Sequence, residues 1–359
     1  MSDGTKIEWS DATWSPIIGC DRVSPGCDNC YAVTSAYIRA NNPNPKVAAA
    51  FEGLTHRTSG GLDWTGRVNL LSDRLMQPLR WRKPRKIFVN SQSDLFHDAV
   101  PDEFIAQILA VMALTPWHTY LVLTKRHGRM RSFLANPPKS DNGEYETSVG
   151  WLPGAGAKWM VADALEGISQ SPDVRLTEEQ WALVKRPGAR LEWPLPNLWL
   201  GVSIENQKWA DIRLPALAAT PAAVRWASIE PLLGPIDLGI GDPHVGHDSD
   251  TIHGDPHQRI CLDCSDPDNG IEVPYWRRDP QPDLLDWVVV GGESGPGARR
   301  MDLAWARDLR DQCARAKVPF FFKQLGSALA RELGCTDRKG GTPSEWPEPF
   351  PREYPEGAA

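Results

Sequence analysis

The sequence predicts an α/β fold built on a parallel β/α barrel, partial or complete, with inserted loops. Two observations carry that expectation. Short apolar runs alternate with helix-period segments along most of the chain, the pattern left by repeated strand–helix–strand units. Polar and charged residues then recur at the downstream end of each apolar run, where parallel β/α folds carry their sites.

Six strands follow from the runs Ile87-Phe88-Val89, Tyr120-Leu121-Val122-Leu123, Leu198-Trp199-Leu200-Gly201-Val202, Val224-Arg225-Trp226-Ala227-Ser228-Ile229, Trp287-Val288-Val289-Val290 and Phe320-Phe321-Phe322. Each is apolar almost throughout, as strands buried on both faces are. A helix over Asp102 to Leu114 starts at Pro101 and Asp102, and turns Phe104, Ile105, Ile108, Leu109 and Met112 to one face. Another over Asp302 to Ala316 places Ala306, Leu309 and Cys313 inward, where a free cysteine behaves as a small hydrophobe. A short strand near Val68-Asn69-Leu70 and a helix from about Ser72 to Trp81 suit one more unit.

Residues 1–134, 197–237 and 283–326 thus form one β/α domain. Between them, 135–196 reads as an insertion rich in Pro and Gly, with one helix opened by the capping box Thr177-Glu178-Glu179-Gln180. A second insertion, 238–282, is polar and rich in Asp, His, Gly and Pro, and 327–359 is a C-terminal tail. A long segment with no core-forming period is usually a functional loop or one held by a metal.

Bulk properties narrow the class. There is no long apolar run and no basic-then-apolar start, so neither a membrane span nor a signal peptide is expected, and a cytoplasmic protein is. Seven cysteines is an odd number in 359 residues, which favours reduced thiols over a disulfide framework. A net charge of −7 does not advertise a nucleic-acid surface. The most basic stretch, Arg80-Trp81-Arg82-Lys83-Pro84-Arg85-Lys86, reads as a solvated turn or a phosphate contact. The 16 tryptophans are expected mainly in the core.

Chemistry concentrates in two places. Cys20, Cys27 and Cys30 lie in one short loop, spaced C-x6-C-x2-C with glycine and proline in the gap, so their thiolates can converge on a soft metal centre. Structural zinc wants four protein ligands, whereas a cluster held by three cysteines leaves one iron open. The strand ends form the second place: Asn90-Ser91-Gln92-Ser93-Asp94, Thr124-Lys125-Arg126, Ser203-Ile204-Glu205-Asn206, Ser228-Ile229-Glu230, Gly291-Gly292-Glu293-Ser294-Gly295 and Lys323-Gln324. One rim should therefore collect Asp94, Lys125, Glu205, Glu230, Glu293 and Lys323. The glycines at 291–295 could bring backbone amides close to a ligand, although a tight turn explains them too.

A third constellation, His253-x3-His257-x3-Cys261-x2-Cys264, could close on zinc and order the second insertion.

Several stretches resemble an uncharacterised phage and bacterial family with a three-cysteine motif: Ile7-Glu8-Trp9-Ser10-Asp11-Ala12-Thr13-Trp14 with the cysteines, Phe88 to Ser91 with Asp94 to His97, Leu123 to Arg126, Gly291 to Gly297, and Pro319 to Gln324. That family is similar to radical S-adenosylmethionine (radical SAM) enzymes. The resemblance implies a 4Fe-4S cluster on Cys20, Cys27 and Cys30, whose open iron chelates S-adenosylmethionine, and an electron donor that triggers reductive cleavage to a 5′-deoxyadenosyl radical. It implies Lys125, Glu205, Glu230, Glu293 and Lys323 as catalytic candidates. Asn90, Ser91, Ser93, Asp94, Asn206, Gly291, Gly292, Ser294 and Gln324 become candidates for holding the cofactor. The substrate is unknown, with a nucleobase or nucleic acid in a phage-linked pathway as one option. The first gap departs from the commonest radical-enzyme spacing, C-x3-C-x2-C, and Tyr31 follows the last cysteine where many such enzymes have an aromatic before it.

Two other readings stay open on the residues alone. One is a non-catalytic zinc module, completed by Cys335 or a histidine, that binds nucleic acid or protein. The other is a hydrolase or nuclease that gathers Asp94, Glu205, Glu230 and Glu293 around a hard metal such as magnesium.

Overall fold

The computed structural model describes residues 5, 7–135, 144–147, 150–153, 156–240 and 284–356. Its centre is a seven-stranded sheet: β1 Ala12–Trp14, β2 Lys86–Val89, β3 Thr119–Thr124, β4 Leu198–Ser203, β5 Val224–Ile229, β6 Trp287–Gly291 and β7 Phe320–Gln324. The strands stand in strict chain order and every neighbouring pair is parallel. Order without reversal, combined with right-handed crossovers, keeps the connections on one face, as in a barrel. Among the described residues no pairing joins β7 back to β1, so the sheet is an open, partial β/α barrel.

The six expected strands are all present, and β1 is an addition. Three residues are too few to show a period, and β1 is defined by its partner: Ala12, Thr13 and Trp14 register against Ile87, Phe88 and Val89. The short strand expected near Val68 exists as Asn69–Leu70 but lies outside the main sheet, paired antiparallel with Ile17–Ile18. The helix expected after it is two short pieces, Ser72–Leu75 and the single turn Pro78–Arg80. Pro78 interrupts it by removing a backbone donor.

Six helices frame the site: α1 Tyr31–Ala40, α2 Asp102–Ala113, α3 His127–Ala135, α4 Gln207–Ala218, α5 Leu303–Ala316 and α6 Ser327–Glu332. In α2 the expected face is buried, and so are Ala106, Ala110 and Val111. The extra burial comes from a helix of the first insertion, Gly156–Ser169, which packs against it. Its stripe of Ala157, Val161, Ala162, Leu165 and Ile168 is interrupted by polar and small residues, so only the capped helix Glu178–Lys185 reads clearly in the sequence. The capping box there forms, with the Thr177 amide donating to Gln180 Oε1 and the Gln180 amide to Thr177 Oγ1.

Strand alternation divides the apolar residues into two cores. Ile87, Val89, Tyr120, Val122, Leu198, Leu200, Val202, Ala227, Ile229, Val288, Val290, Phe320 and Phe322 pack with residues of α2, α4 and α5, including the fully buried Cys313. Residues of opposite phase, Phe88, Leu121, Trp199, Trp226, Trp287, Val289 and Phe321, form a separate aromatic core around Trp9. Trp9 meets Phe88 and Trp226 edge-on, with centroids 4.8 and 5.4 Å apart. Such contacts add roughly 0.5–1.5 kcal/mol each beyond area burial. Gly201 makes room for this layer, because a Cβ there would stand 2.4 Å from the Trp226 indole.

The C-terminal residues also pack on the sheet. Phe350 stacks on Phe322 at 4.3 Å, the Phe322 amide donates to the Pro351 carbonyl, and Tyr354 stacks on Trp287. That covers the β7 edge, which would otherwise offer unpaired backbone groups. Among the described residues no helix is long and apolar enough to cross a membrane. The expected zinc ligands His253, His257, Cys261 and Cys264 lie outside the described residues.

Candidate functional site

The inner phase of the strands, followed past the aromatic layer, leads to polar residues. Two positions beyond Phe88 stands Asn90; beyond Leu121 and Leu123 stands Lys125; beyond Trp199 and Gly201 come Ser203 and Glu205. Trp226 is followed in the same way by Ser228 and Glu230, and Phe321 by Lys323. Of the expected rim, Lys125, Glu205, Glu230 and Lys323 lie on this phase above the aromatic layer, and Lys323 Nζ lies 6.0 Å from the centre of the Trp9 ring.

Two ion pairs span this layer. Lys125 Nζ donates to Ser203 Oγ at 2.6 Å and lies 3.3 Å from Glu205 Oε1. Lys323 Nζ lies 3.0 Å from Glu230 Oε1, while Ser228 Oγ donates to Glu230 Oε2. Glu205 is fully buried, and its second oxygen receives Arg213 Nη1 at 3.1 Å from α4. A buried carboxylate flanked by two cations offsets part of the cost of burying its charge. Glu230, Lys323 and Lys125 are more open, with side chains 14%, 21% and 20% exposed. They are the rim groups best placed to meet a bound molecule.

The cysteine loop follows β1 but fastens to strands across the sheet. Ser24 Oγ donates to Glu205 Oε1 at 2.7 Å, which ties the loop to the end of β4. Gly26 lies so close that a Cβ would stand 2.5 Å from the same oxygen. On the β6 side, Asn29 Nδ2 donates to Glu293 Oε2 and to the Gly297 carbonyl. Arg299 completes the clasp, donating to the Pro25 carbonyl at 2.8 Å, to Asp28 Oδ2 at 3.2 Å and to both Glu293 oxygens. A loop that starts at one sheet edge and is bonded to β4 and β6 must lie over the polar layer.

All three cysteines are free and half-buried. Cys30 is the residue before α1, and Tyr31 on the first turn donates through its hydroxyl to the Ser91 carbonyl at 2.7 Å. Burial pushes the Cys20 thiol up to about 12; Asp94 adds to the rise and Arg126 opposes it. Burial also raises Cys30, against the nearby amides of Ala32 and Val33. The charge of Cys27 is felt at both of the other thiols. Cations lie beside the set: Arg126 Nη1 donates to Cys20 Sγ at 3.8 Å, and Lys125 acts on Cys30. Three free thiols on one loop, with burial favouring the neutral form at Cys20 and Cys30 and Arg126 and Lys125 opposing it, are soft donors of the kind that bind zinc or iron. Among the described residues, no three His, Cys, Asp or Glu side chains meet closely enough to hold a single metal ion. Cys335, a possible fourth ligand in the zinc reading, lies in the C-terminal segment with its thiol against the Glu345 carbonyl.

Other predicted site residues hold the site together. Asp94 is buried and accepts from Thr124 Oγ1 at 2.7 Å, from the Lys125 amide at 3.0 Å and from the Phe96 amide at 3.0 Å. It orients the β3 end. Ser93 Oγ donates to the Ile17 carbonyl, and Ser91 offers its carbonyl to Tyr31. Asn206 caps α4, accepting from the Trp209 amide. Gln324 Nε2 donates to the Gly292 carbonyl, and Gly292 packs so tightly on Leu325 that any side chain would collide. A Cβ on Gly291 would stand 2.8 Å from Glu230 Oε1, and Ser294 is half-buried on the turn after Glu293. Asn90 is different: it holds a left-handed backbone at φ 60° and is 4% exposed, and its Nδ2 has no hydrogen-bond partner among the described residues. A strained backbone with an unpaired buried donor marks a functional position more often than a structural one.

The hydrolase carboxylates Asp94, Glu205, Glu230 and Glu293 share this end of the sheet, each already turned to a cation or to amides. Glu293 is the clearest: burial favours its protonated form, but hydrogen bonds from the Arg299 side chain and amide and from Asn29 hold it below the usual carboxylate range.

Ser24, Gly26, Asn29, Arg126, Arg213 and Arg299 were not singled out by sequence reasoning. Arg126 directly follows Lys125 at a strand end, a usable signal. Arg213 and Arg299 gave none, because an arginine in a mixed helix or a Gly-Pro-Gly turn reads as solvated.

No curated protein and no solved structure matches the chain. A family model described as Protein of unknown function (DUF5131) matches residues 4–343, so the chain belongs to that family.

Proposed function

We propose that the chain is an iron–sulfur enzyme of the radical SAM type, with a 4Fe-4S cluster on Cys20, Cys27 and Cys30 and an organic substrate held over the polar layer. The observation that carries this reading is the placement of the cysteine loop. It is bonded to the ends of β4 and β6, which sets the cysteines beside the strand-end groups of an open β/α barrel, the end at which such folds carry their sites. When bound, the cluster supplies a one-electron reductant to S-adenosylmethionine at its open iron.

The chain's own residues have separable tasks. Ser24, Asn29 and Arg299 hold the loop in register with the rim. Glu205, fixed by Lys125 and Arg213, anchors the loop and is unavailable as a base. Glu230 with Lys323, and Lys125 beside Ser203, present charged groups on the exposed side of the layer. They suit the carboxylate and ammonium ends of a polar ligand, with the aromatic floor excluding water below. Asn90 adds a buried donor that has no partner among the described residues.

The test is product formation. Protein prepared without oxygen, given S-adenosylmethionine and a strong reductant, is expected to release 5′-deoxyadenosine or a derivative. Cys20→Ala, Cys27→Ala and Cys30→Ala should each abolish it. Full cluster occupancy without cleavage would count decisively against this reading, as would unchanged turnover of any substrate in the cysteine variants.

A further inference from the structure

Resting on that reading, we propose that Arg126 sets the reduction potential of the three-cysteine centre. Arg126 is the residue after Lys125 at the end of β3, and its side chain is only 8% exposed. Its Nη1 donates to Cys20 Sγ at 3.8 Å and lies 3.6 Å from Asp94 Oδ2, while Nη2 is paired with Asp21, the neighbour of Cys20. The other cations that act on the thiols are committed elsewhere, Lys125 and Arg213 to Glu205 and Arg22 to Asp63 and Asp28. Among the described residues Arg126 is the guanidinium that donates to a cysteine sulfur.

The position is built to be fixed. The Arg126 amide donates to Thr124 Oγ1 at 2.8 Å, and Thr124 Oγ1 in turn donates to Asp94. Asp94 thus sets both the backbone turn and the direction of the guanidinium. His97 Nδ1 accepts from the Ala99 amide, which leaves the proton on Nε2, 3.6 Å from Asp21 Oδ1. Arg126, paired with Asp94 through Nη1 and with Asp21 through Nη2, keeps one orientation toward Cys20.

The physical consequence follows from charge. Taking up one electron makes a cluster more negative, and a fixed cation or N–H at a ligand sulfur stabilises that extra charge in a low-dielectric setting. Arg126 raises the potential, and Asp21 and Asp94 temper the rise by sharing its charge. The electron comes from an external one-electron reductant. The residue tunes that step without touching substrate.

The experiment is a redox titration of reconstituted protein with dithionite and mediators, followed by electron paramagnetic resonance. Arg126→Gln is expected to move the midpoint to more negative potential, and Arg126→Lys to a value between the variant and the parent. Arg300→Gln, which removes an exposed pair with Glu332, should leave it in place. If Arg126→Gln loads too little cluster to titrate, Asp21→Asn decides: removing the carboxylate that shares the guanidinium should move the midpoint up. A loaded Arg126→Gln protein with an unmoved midpoint overturns this inference alone, as does an unmoved Asp21→Asn midpoint. A parent chain that takes up no cluster overturns the functional reading as well.

Discussion

The lower and upper halves of the inner sheet face are built on the same strand phase and do opposite work. Below, Phe88, Trp199, Trp226, Trp287 and Phe321 pack with Trp9 in one buried cluster. Above, the same phase delivers Asn90, Lys125, Glu205, Glu230 and Lys323. The lower half is held by area and shape. The upper half is held by a few charge pairs that would be costly to bury singly. The contrast shows that the site is the continuation of the core by two residues per strand, with packing exchanged for polarity.

This contrast can be broken from either side. The largest stability loss is expected in the lower half: Trp226→Ala empties a fully buried site and should cost about 3–5 kcal/mol, read as a lower denaturation midpoint with little change in slope. A loss below about 1 kcal/mol would mean the floor is not a packed layer.

Glu205→Gln tests the upper half. It leaves Arg213 and Lys125 facing a neutral amide, and breaking such a buried set costs about 3 kcal/mol or more, with cysteine-loop protection lost in hydrogen exchange. Unchanged stability would show that Glu205 is not the anchor.

Arg299→Ala removes the β6 clasp, and because Arg299 is a third exposed only about 0.5–1 kcal/mol is expected. The measurable change is faster exchange in residues 24–30 without global unfolding. The clasp also has a pH sign. Glu293 is held below its unfolded value, so its contribution is present above the ordinary carboxylate pKa of 4.5 and is lost as pH falls through the folded value. In Glu293→Gln the acid-dependent loosening of the loop should disappear. Persistence of the same profile would assign it to another group.

Legibility in the sequence followed the range of the interactions. Strands with three or more apolar residues, the α2 face and the inward Cys313 follow from period and position, which are local. Strand β1 did not, because Ala12-Thr13-Trp14 is defined only by its partner in β2. The cysteines were visible as a motif, but their placement over β4 and β6 depends on Ser24–Glu205 and Asn29–Glu293, contacts separated by 181 and 264 residues. Asp94 and Gln324 read as ligand-binding groups because a strand-end polar residue looks alike whether it faces a cavity or ties two loops. Arg213 shows the converse: its burial follows from Glu205, which helix periodicity cannot reveal.

The three-cysteine centre itself is tested most directly by metal and sulfide content, with an electron paramagnetic resonance spectrum of the reduced, anaerobically prepared protein before and after S-adenosylmethionine is added. A brown protein with about four irons per chain and a spectrum that changes on addition is the expected result. A colourless protein carrying stoichiometric zinc at Cys20, Cys27 and Cys30, or a loaded cluster whose spectrum S-adenosylmethionine leaves unchanged, would contradict it.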